Sequence, residues 1–183
     1  VTNGQEVIDG TDPVDPCAYL IASQVPANVT AAWNALDCDG DGVTNGQEII
    51  DGTDPLDSCS LIATNQDTTP TGAWNDADCD GDGVTNGTEV IDGTDPTDPC
   101  DYDAMSQTGS TTQSWEDADC DGDGVTNGQE VIDGTDPLDE CELVVENQTL
   151  PPATAWNDAD CDGDGVTNGQ EVIDGTDPVD PCA

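Results

Sequence analysis

The segment DCDGDGVTNGQE, residues 37–48, determines how the whole chain is to be interpreted. It returns at residues 78, 119 and 160 with one change, at position 11, where Thr88 replaces the glutamine seen at Gln47. The copies lie 41 residues apart, and a fixed period of this length is typical of a repeat array. We therefore expect a repeat protein in place of a single globular domain.

The repeated segment has the ligand pattern of a calcium loop. Side-chain oxygens fall at positions 1, 3, 5, 9 and 12, and glycine occupies position 6. In loops of the EF-hand kind, residue 7 adds its backbone carbonyl oxygen and the glutamate at 12 binds through both oxygens. The predicted ligands are Asp37, Asp39, Asp41, Val43, Asn45, Glu48, Asp78, Asp80, Asp82, Val84, Asn86, Glu89, Asp119, Asp121, Asp123, Val125, Asn127, Glu130, Asp160, Asp162, Asp164, Val166, Asn168 and Glu171.

Other interpretations of the loop fit less well. A solvated acidic loop, with Asn-Gly turning a hairpin, would not need five oxygen ligands at the same spacings in every copy. Magnesium prefers a smaller octahedral shell that keeps its waters, and zinc prefers cysteine or histidine. Calcium is therefore the predicted ion, with one ion in each complete loop.

The composition also calls for cations. The 183 residues include 42 acidic side chains and no lysine, arginine or histidine, so the formal net charge is −42. Self-repulsion opposes compaction, and the low hydrophobicity by itself is typical of disorder. Nucleic acid and anionic lipid are disfavoured as partners by the sign of the charge. The longest apolar runs are too short to span a bilayer, so we expect no membrane insertion.

Further acids follow each loop, as in IIDGTDPLD with Asp51, Asp54 and Asp57. Aspartate before glycine or proline nucleates turns, which is one interpretation. A second calcium site shared with the loop is the other, and both stay open. Around GQEVI we predict one or two helical turns, with low regular secondary structure overall and helix in no more than about a third of the residues.

Variable linkers separate the acidic segments. They keep two features in register: a glutamine seven places after the leading cysteine, and a tryptophan. Threonine and branched residues predict one or two short strands per linker, and the tryptophan is interpreted as a buried packing residue. The residues in register are Gln24, Gln66, Gln107 and Gln148, and Trp33, Trp74, Trp115 and Trp156.

The cysteines recur with the repeat. Spacing within the acidic segment is always 21 residues, whereas spacing across a linker is 20 or 21. Constant spacing favours the pairs Cys38–Cys59, Cys79–Cys100, Cys120–Cys141 and Cys161–Cys182. Cys17 would then pair upstream of Val1; pairing across linkers, from Cys17–Cys38 onward, remains open. Nine cysteines suit an oxidising, extracellular setting.

We divide the chain into a partial repeat and four full ones. The partial repeat covers residues 1–17, the back part of an acidic segment, and the full repeats cover 18–59, 60–100, 101–141 and 142–183. We expect this sequence to be a window on a longer array. Sequons at Asn28 and Asn147 are candidate glycan sites, whereas Asn86 is set aside because it is a predicted calcium ligand.

The acidic segment resembles the calcium motif of thrombospondin type 3 repeats. The stretch DGDGVTNGQEVIDGTDP is similar to the bacterial version of that repeat, found in large secreted and surface proteins. The resemblance covers about half of every period, and the Trp-bearing linkers depart from tightly joined arrays of the family. Dockerins share the loop pattern but pair two loops at a shorter spacing. The resemblance implies an extracellular, calcium-stiffened and non-catalytic architecture.

The sequence supports two hypotheses about the function of the chain. No residue set for catalysis is present, since the recurring carboxylates have metal or turn roles, so we expect no enzyme. The first hypothesis is an elongated, calcium-stiffened rod at the cell surface or outside the cell, as an adhesin stalk or the subunit of a filament or fibre. The second is a calcium-dependent binding array whose variable linkers recognise a protein or carbohydrate. Burial of the tryptophan and glutamine against the acidic segment would favour the first.

Overall fold

The computed structural model describes residues 1–25 and 29–182, and within them the chain forms short helices joined by loops. Helical residues make up 34% of this part, which is at the limit of the predicted third, and it contains no β-strand. The α-helices are α1 Asn3–Asp9, α2 Ala31–Asn34, α3 Asn45–Asp51, α4 Gly72–Asn75, α5 Asn86–Asp92, α6 Gln113–Glu116, α7 Asn127–Asp133, α8 Thr154–Asp158 and α9 Asn168–Asp174. Three 3₁₀ turns lie at Ile21–Ser23, Ala63–Asn65 and Val145–Asn147.

Five helices of seven residues, α1, α3, α5, α7 and α9, share one sequence-determined design. In α3 the chain enters through Thr44 in extended conformation and leaves through Gly52 at φ 81°. The N–H of Gly52 donates to the carbonyl oxygen of Glu48 at 2.7 Å. Glycine adopts this left-handed conformation without strain, so it ends the helix at a fixed residue. The helical turns predicted after each loop are confirmed.

Four shorter helices, α2, α4, α6 and α8, carry the tryptophans of the linkers. In α4 the hydroxyl of Thr71 accepts a hydrogen bond from the Trp74 backbone N–H at 3.3 Å, which begins the helix. The prediction of strands in the linkers is wrong. The linker amides of Asp67 and Thr68 both donate to the carbonyl oxygen of Gly42, at 2.9 Å, so their partner is the preceding acidic loop and not another strand.

Each tryptophan helix packs against the loop helix that follows it, as α2 does on α3 and α8 on α9. Gly46 permits this close approach. A Cβ atom at Gly46 would lie 2.8 Å from the Cβ atom of Asn34 and 2.9 Å from its carbonyl oxygen. The glycine at loop position 10 is therefore required by packing between two helices.

Small apolar clusters join the first and third loops to the linkers after them. Val43, Leu61 and Trp74 form one cluster and are 0%, 8% and 2% exposed. In the third copy the equivalent cluster contains Val125 and Trp156, both fully buried. The prediction that the tryptophans are packing residues is confirmed for Trp74, Trp115 and Trp156, whereas Trp33 is only half-buried. The residue two places after each leading cysteine is also buried: Tyr19, Leu61, Tyr102 and Leu143.

The disulfides cross the linkers, so the pairing favoured within the acidic segments is wrong. The bonds are Cys17–Cys38, Cys59–Cys79, Cys100–Cys120 and Cys141–Cys161, and Cys182 is free. The Trp74 indole N–H donates to the carbonyl oxygen of Ser58 at 2.8 Å, which brings the residue before Cys59 onto the tryptophan helix. Cys79 follows that helix closely, and its Cα atom lies 5.3 Å from that of Cys59. The indole N–H groups of Trp33 and Trp156 donate to the carbonyl oxygens of Pro16 and Glu140 in the same way. The Cys100–Cys120 bond forms without this contact, since the indole nitrogen of Trp115 is buried without a hydrogen-bond partner.

The chain separates into two compact units. One comprises residues 1–80 and 84–98 and contains α1 to α5; the other comprises residues 81–83 and 99–183 and contains α6 to α9. Among the described residues, no helix combines the length and the apolar composition needed to cross a bilayer.

Candidate metal centre

The loop of residues 37–48 is shaped by its own aspartates. One oxygen of Asp37 accepts the Gly40 N–H at 2.7 Å and the other accepts the Gly42 N–H at 3.1 Å. Asp39 accepts the N–H of Asp41 at 3.3 Å. Asp41 in turn accepts the N–H of Val43 at 2.7 Å. Each hydrogen bond closes a tight turn, so the backbone wraps around the carboxylates.

The aspartates at positions 1, 3 and 5 converge in each loop. In every triplet the carboxylate oxygens that could act as ligands lie within 4.8 Å of one another. The triplets are Asp37, Asp39 and Asp41; Asp78, Asp80 and Asp82; Asp119, Asp121 and Asp123; and Asp160, Asp162 and Asp164. The structure thus brings together three of the predicted side-chain ligands in each complete copy.

Buried carboxylate oxygens without hydrogen-bond partners are the main electrostatic feature of the first loop. They comprise Oδ2 of Asp39, Oδ2 of Asp41 and both carboxylate oxygens of Glu48, and the side chains of Asp41 and Glu48 are fully buried. Burial, followed by the negative charges of Asp39 and Asp41, raises the pKa of Glu48 to about 8. Burial raises the pKa of Asp41 to about 7 and that of Asp39 to about 6.

The third loop repeats this arrangement. Oδ2 of Asp121, Oδ2 of Asp123 and both oxygens of Glu130 are buried without hydrogen-bond partners. Burial first, and then the neighbouring aspartates, raise the pKa of Glu130 to about 8. Burial also raises the pKa of Asp121 to about 7 and of Asp123 to about 6. Two loops in separate compact units therefore carry the same buried, uncompensated set of carboxylates.

These carboxylates fit a hard divalent cation. A buried carboxylate costs free energy unless it is paired, and the chain has no lysine, arginine or histidine to pair with it. The unpartnered atoms are oxygens, the ligand type that calcium takes in sets of six to eight. In the first loop Asp37, Asp39, Asp41 and Glu48 are the residues that would hold such an ion.

The fourth loop has the same internal hydrogen bonds but a different environment. Asp160 accepts the N–H groups of Gly163 and Gly165 at 2.8 and 3.0 Å, and Asp164 accepts the Val166 N–H at 2.7 Å. However, Asp160 and Asp164 are exposed. Glu171 is nevertheless buried, at 3% exposure. The loop conformation and the burial of the glutamate are therefore properties of the segment itself, whereas burial of the aspartates at positions 1 and 5 comes from the linker that covers the other loops.

The predicted ligand at position 9 has another role in the structure. The Asn45 side-chain oxygen accepts the Cys38 N–H at 3.1 Å, and its amide donates to the carbonyl oxygen of Trp33, also at 3.1 Å. Asn127 and Asn168 make the same two contacts in their own copies. The asparagine thus joins the tryptophan helix and the residue after the first aspartate to the loop, and its role as a calcium ligand stays a prediction.

The valine at position 7 contributes through its side chain. Val43 is fully buried in the cluster with Leu61 and Trp74, and its N–H donates to Asp41. Sequence analysis assigned this residue only a backbone role, as a carbonyl ligand, which stays a prediction. The apolar character of position 7 in all four copies was the available signal for a packing role.

The acids after the loop form turns. Asp54 accepts the Leu56 N–H at 3.0 Å and Asp57 accepts the Cys59 N–H at 3.2 Å. Asp51 accepts the side-chain amides of Gln47 and Asn65 at 2.9 and 2.7 Å. The contacts of Asp54 and Asp57 are those expected from the turn interpretation. Within residues 1–25 and 29–182, the only groups of acidic side chains close enough to share a metal ion are the four loop triplets.

Comparison with known proteins identifies the repeat. The bacterial TSP3 repeat matches residues 1–16, 37–58, 78–99, 119–140 and 160–181, which is more than half of the chain. Every match includes the loop, or its back part, together with the helix and the turns after it. Searches of curated proteins and of solved structures gave no match. The chain belongs to the bacterial TSP3 repeat family.

Proposed function

We propose that this chain is an extracellular structural array in which each complete loop binds one calcium ion. The observation that carries the proposal is the set of buried carboxylate oxygens without partners, Oδ2 of Asp39 and Asp41 and both oxygens of Glu48, repeated at Asp121, Asp123 and Glu130. A cation in the loop compensates these charges. Membership of the TSP3 repeat family supports the same assignment.

The proposed ligands of the first loop are Asp37, Asp39, Asp41 and Glu48, with the carbonyl oxygen of Val43. The same positions serve in the other three copies. Four carboxylates suit calcium better than magnesium, because magnesium keeps several waters and demands octahedral geometry. Zinc is disfavoured because eight of the nine cysteines form disulfides and histidine is absent.

The array is proposed to act mechanically, as a stalk of a surface adhesin or as the subunit of a filament. Four disulfides suit an oxidising, extracellular location. Two linkers join the loops on either side of them. Trp74 and Trp156 pack with the valines of the preceding loops, Val43 and Val125, while their helices pack against the loop helices that follow. Calcium in the loops would fix both ends of each linker and so stiffen the chain.

The alternative, a binding array that recognises a partner through its linkers, has less support. Trp74, Trp115 and Trp156 are buried, and the linker glutamines Gln66 and Gln148 donate to loop carbonyl oxygens. The residues that recur in the linkers are therefore engaged inside the molecule. A partner would have to bind the variable residues that remain exposed.

Glycans on the linkers are a further proposal. Of the candidate sites, Asn28 lies outside the described residues. The Asn147 side-chain nitrogen, which would carry the sugar, donates to Asp133 at 2.6 Å, so a glycan there would replace this hydrogen bond. Asn86 is fully buried, which disfavours its modification in the folded chain.

Native mass spectrometry of the calcium-titrated chain tests the proposal. We expect four calcium ions per chain, and fewer when magnesium is offered at the same concentration. Asp123→Asn should remove one of the four, because Asp123 belongs to the third loop. The matched control is Asp57→Asn, which changes an aspartate that closes a turn at Cys59 and should leave four ions bound. A chain that binds no calcium at millimolar concentration would contradict the proposed function.

A further inference from the structure

The linker that follows each covered loop lies directly on that loop. The side-chain amide of Gln66 donates to the carbonyl oxygen of Asp41 at 2.5 Å. The backbone N–H groups of Asp67 and Thr68 donate to the carbonyl oxygen of Gly42, both at 2.9 Å. The contacts therefore fall on positions 5 and 6, beside the carboxylates that would hold the ion.

The third loop has the same cover. Gln148 donates to the carbonyl oxygen of Asp123 at 2.6 Å, and the N–H groups of Thr149 and Leu150 donate to Gly124 at 2.9 and 3.0 Å. Other contacts differ between the copies. Thr68 donates its hydroxyl to the Asp37 carboxylate at 3.1 Å, whereas the residue in that register after the third loop is a leucine. The glutamine is the side chain that both linkers use in the same way.

The fourth loop provides an internal comparison, because no linker lies over it in this chain. Its aspartates make the same turns as those of the first loop, yet Asp164 is exposed while Asp41 and Asp123 are fully buried. The linker therefore changes the burial of the aspartates at positions 1 and 5 and leaves the loop backbone unchanged, whereas Glu171 is buried without a linker, at 3% exposure.

Burial makes the linker and the ion depend on each other. Docking of the linker removes the aspartate at position 5 from water, and without a cation this costs free energy, so the docked linker is weakly held in the calcium-free chain. A bound cation compensates the buried charges and strengthens docking. By reciprocity, a docked linker must strengthen cation binding by the same factor.

We propose that Gln66 and Gln148 are positioning residues for calcium binding, which hold the linker over the preceding loop and thereby raise the calcium affinity of that loop. In the polypeptide of residues 1–183, loop 160–171 is the uncovered reference against which this gain is measured. The inference rests on the proposed calcium binding and extends it. Affinity along the array is then set by the linker that follows a loop, although the loop sequences are nearly identical.

Residue-resolved NMR titration of the full chain with calcium tests this. The amides of Gly42, Gly124 and Gly165 donate to the first aspartate of their own loops and so report occupancy loop by loop. In the unsubstituted chain, the calcium concentration at which the Gly165 signal is half-changed (its midpoint) should be higher than the midpoints of Gly42 and Gly124. Gln148→Met removes the donor at similar length and should raise the midpoint of Gly124 by about three- to tenfold, as expected for one hydrogen bond.

Controls separate a positioning role from a general loss of structure. Gln148→Met should leave the midpoints of Gly42 and Gly165 unchanged. Gln24→Met substitutes the same register in the first linker, where the chain has no complete loop before it, and should leave the midpoints of all three reporters unchanged. Hydrogen exchange at the Leu150 amide gives the reciprocal measurement: calcium should slow it in the unsubstituted chain, and by a smaller factor in Gln148→Met.

The possible failures are distinguishable. If Gly42, Gly124 and Gly165 all respond to calcium with one midpoint, and Gln148→Met moves none of them, the proposed role of the glutamine is wrong while calcium binding stands. The proposed role would also be wrong if Gln148→Met reduced the exchange protection of the Leu150 amide equally with and without calcium. The glutamine would then hold the linker independently of the ion. If no loop responds to calcium, the proposed function itself fails.

Discussion

At the scale of single residues, the carboxylates of loop 119–130 divide their oxygens between two tasks. One oxygen of Asp121 and one of Asp123 accept backbone N–H groups, at 3.1 and 2.7 Å, and shape the loop. Their other oxygens, and both oxygens of Glu130, are buried without hydrogen-bond partners. Glu130 has no part in shaping the loop, so its charge can be removed without disturbing the turns.

Glu130→Gln should therefore have opposite effects with and without calcium. In chelator, the thermal unfolding midpoint of the compact unit that contains loop 119–130 should rise, because the substitution removes a buried charge that has no counter-charge. With calcium, the affinity of this loop should fall by roughly one to two orders of magnitude, because ligand charge sets calcium affinity. Calorimetric melts in chelator and in calcium measure both effects. Glu146→Gln, at an exposed glutamate, is the matched control and should change neither; a fall in midpoint in chelator would contradict the assignment.

The pKa values of the loop carboxylates predict how stability depends on pH. Burial raises the pKa of Glu130 from 4.5 to about 8 and the pKa of Asp121 from 3.8 to about 7. The calcium-free folded state therefore binds more protons than the unfolded state between about pH 4 and pH 8. Stability without calcium must then fall as pH rises through this window. Calcium affinity should rise over the same window, because protons leave the ligands. Thermal melts in chelator and calcium titrations at pH 5, 6.5 and 8 measure the two trends, and a calcium-free chain that gained stability towards pH 8 would contradict the prediction.

At the scale of elements, the contact between the tryptophan helix and the loop helix depends on glycine at position 10. Gly46→Ala should destabilise the unit by about 1–3 kcal/mol, because the added Cβ would lie 2.8 Å from Asn34. Gly72→Ala, in α4, meets no atom within 4 Å and should stabilise by up to about 1 kcal/mol through helix propensity. Denaturant unfolding in saturating calcium compares the two variants, and equal effects of the same sign would contradict this account.

Sequence patterns predicted the local elements well, for reasons that lie within a few residues. The seven-residue helices follow from a threonine before and a glycine after each NGQE segment, and the convergence of Asp37, Asp39 and Asp41 follows from their alternate spacing around two glycines. Both features are determined by contacts inside twelve to sixteen consecutive residues.

Contacts between distant residues were harder to predict. Cysteine spacing favoured the wrong disulfides, because the pairing follows from contacts between residues far apart in the chain. One such contact joins the Trp74 indole N–H to the carbonyl oxygen of Ser58, 16 residues away. The loop pattern assigned Asn45 to the ion, which stays a prediction, and gave no sign of its hydrogen bonds to the backbone of Cys38 and Trp33. The recurring linker glutamine was visible as a pattern, yet its partner, a backbone carbonyl, leaves no trace in the sequence.

At the scale of the whole molecule, the net charge of −42 limits what calcium can do. Four divalent ions carry eight positive charges, so a chain with every loop filled remains strongly acidic. We therefore expect calcium to act by closing the loops and holding the linkers on them, and only to a minor extent by neutralising the chain. Simple salt has the reverse action: it screens charges beyond about 8–10 Å at physiological strength but provides no ligand-bound ion in a loop.

This difference predicts separate responses of chain dimensions to salt and to calcium. In chelator at low salt, the linkers should release, and repulsion should swell the chain into a flexible coil, as it does in charged linkers. Added sodium chloride should reduce the radius of gyration while the scattering stays that of a flexible chain. Millimolar calcium should instead give an elongated rod with a constant cross-section, because order passes from unit to unit through neighbouring contacts. Small-angle X-ray scattering under the three conditions measures this, with magnesium at the same concentration as the control that should order the chain less than calcium does. A calcium-loaded chain that scattered as a coil or as one compact globule would contradict the structural role, and the linker-binding array would then become the better interpretation.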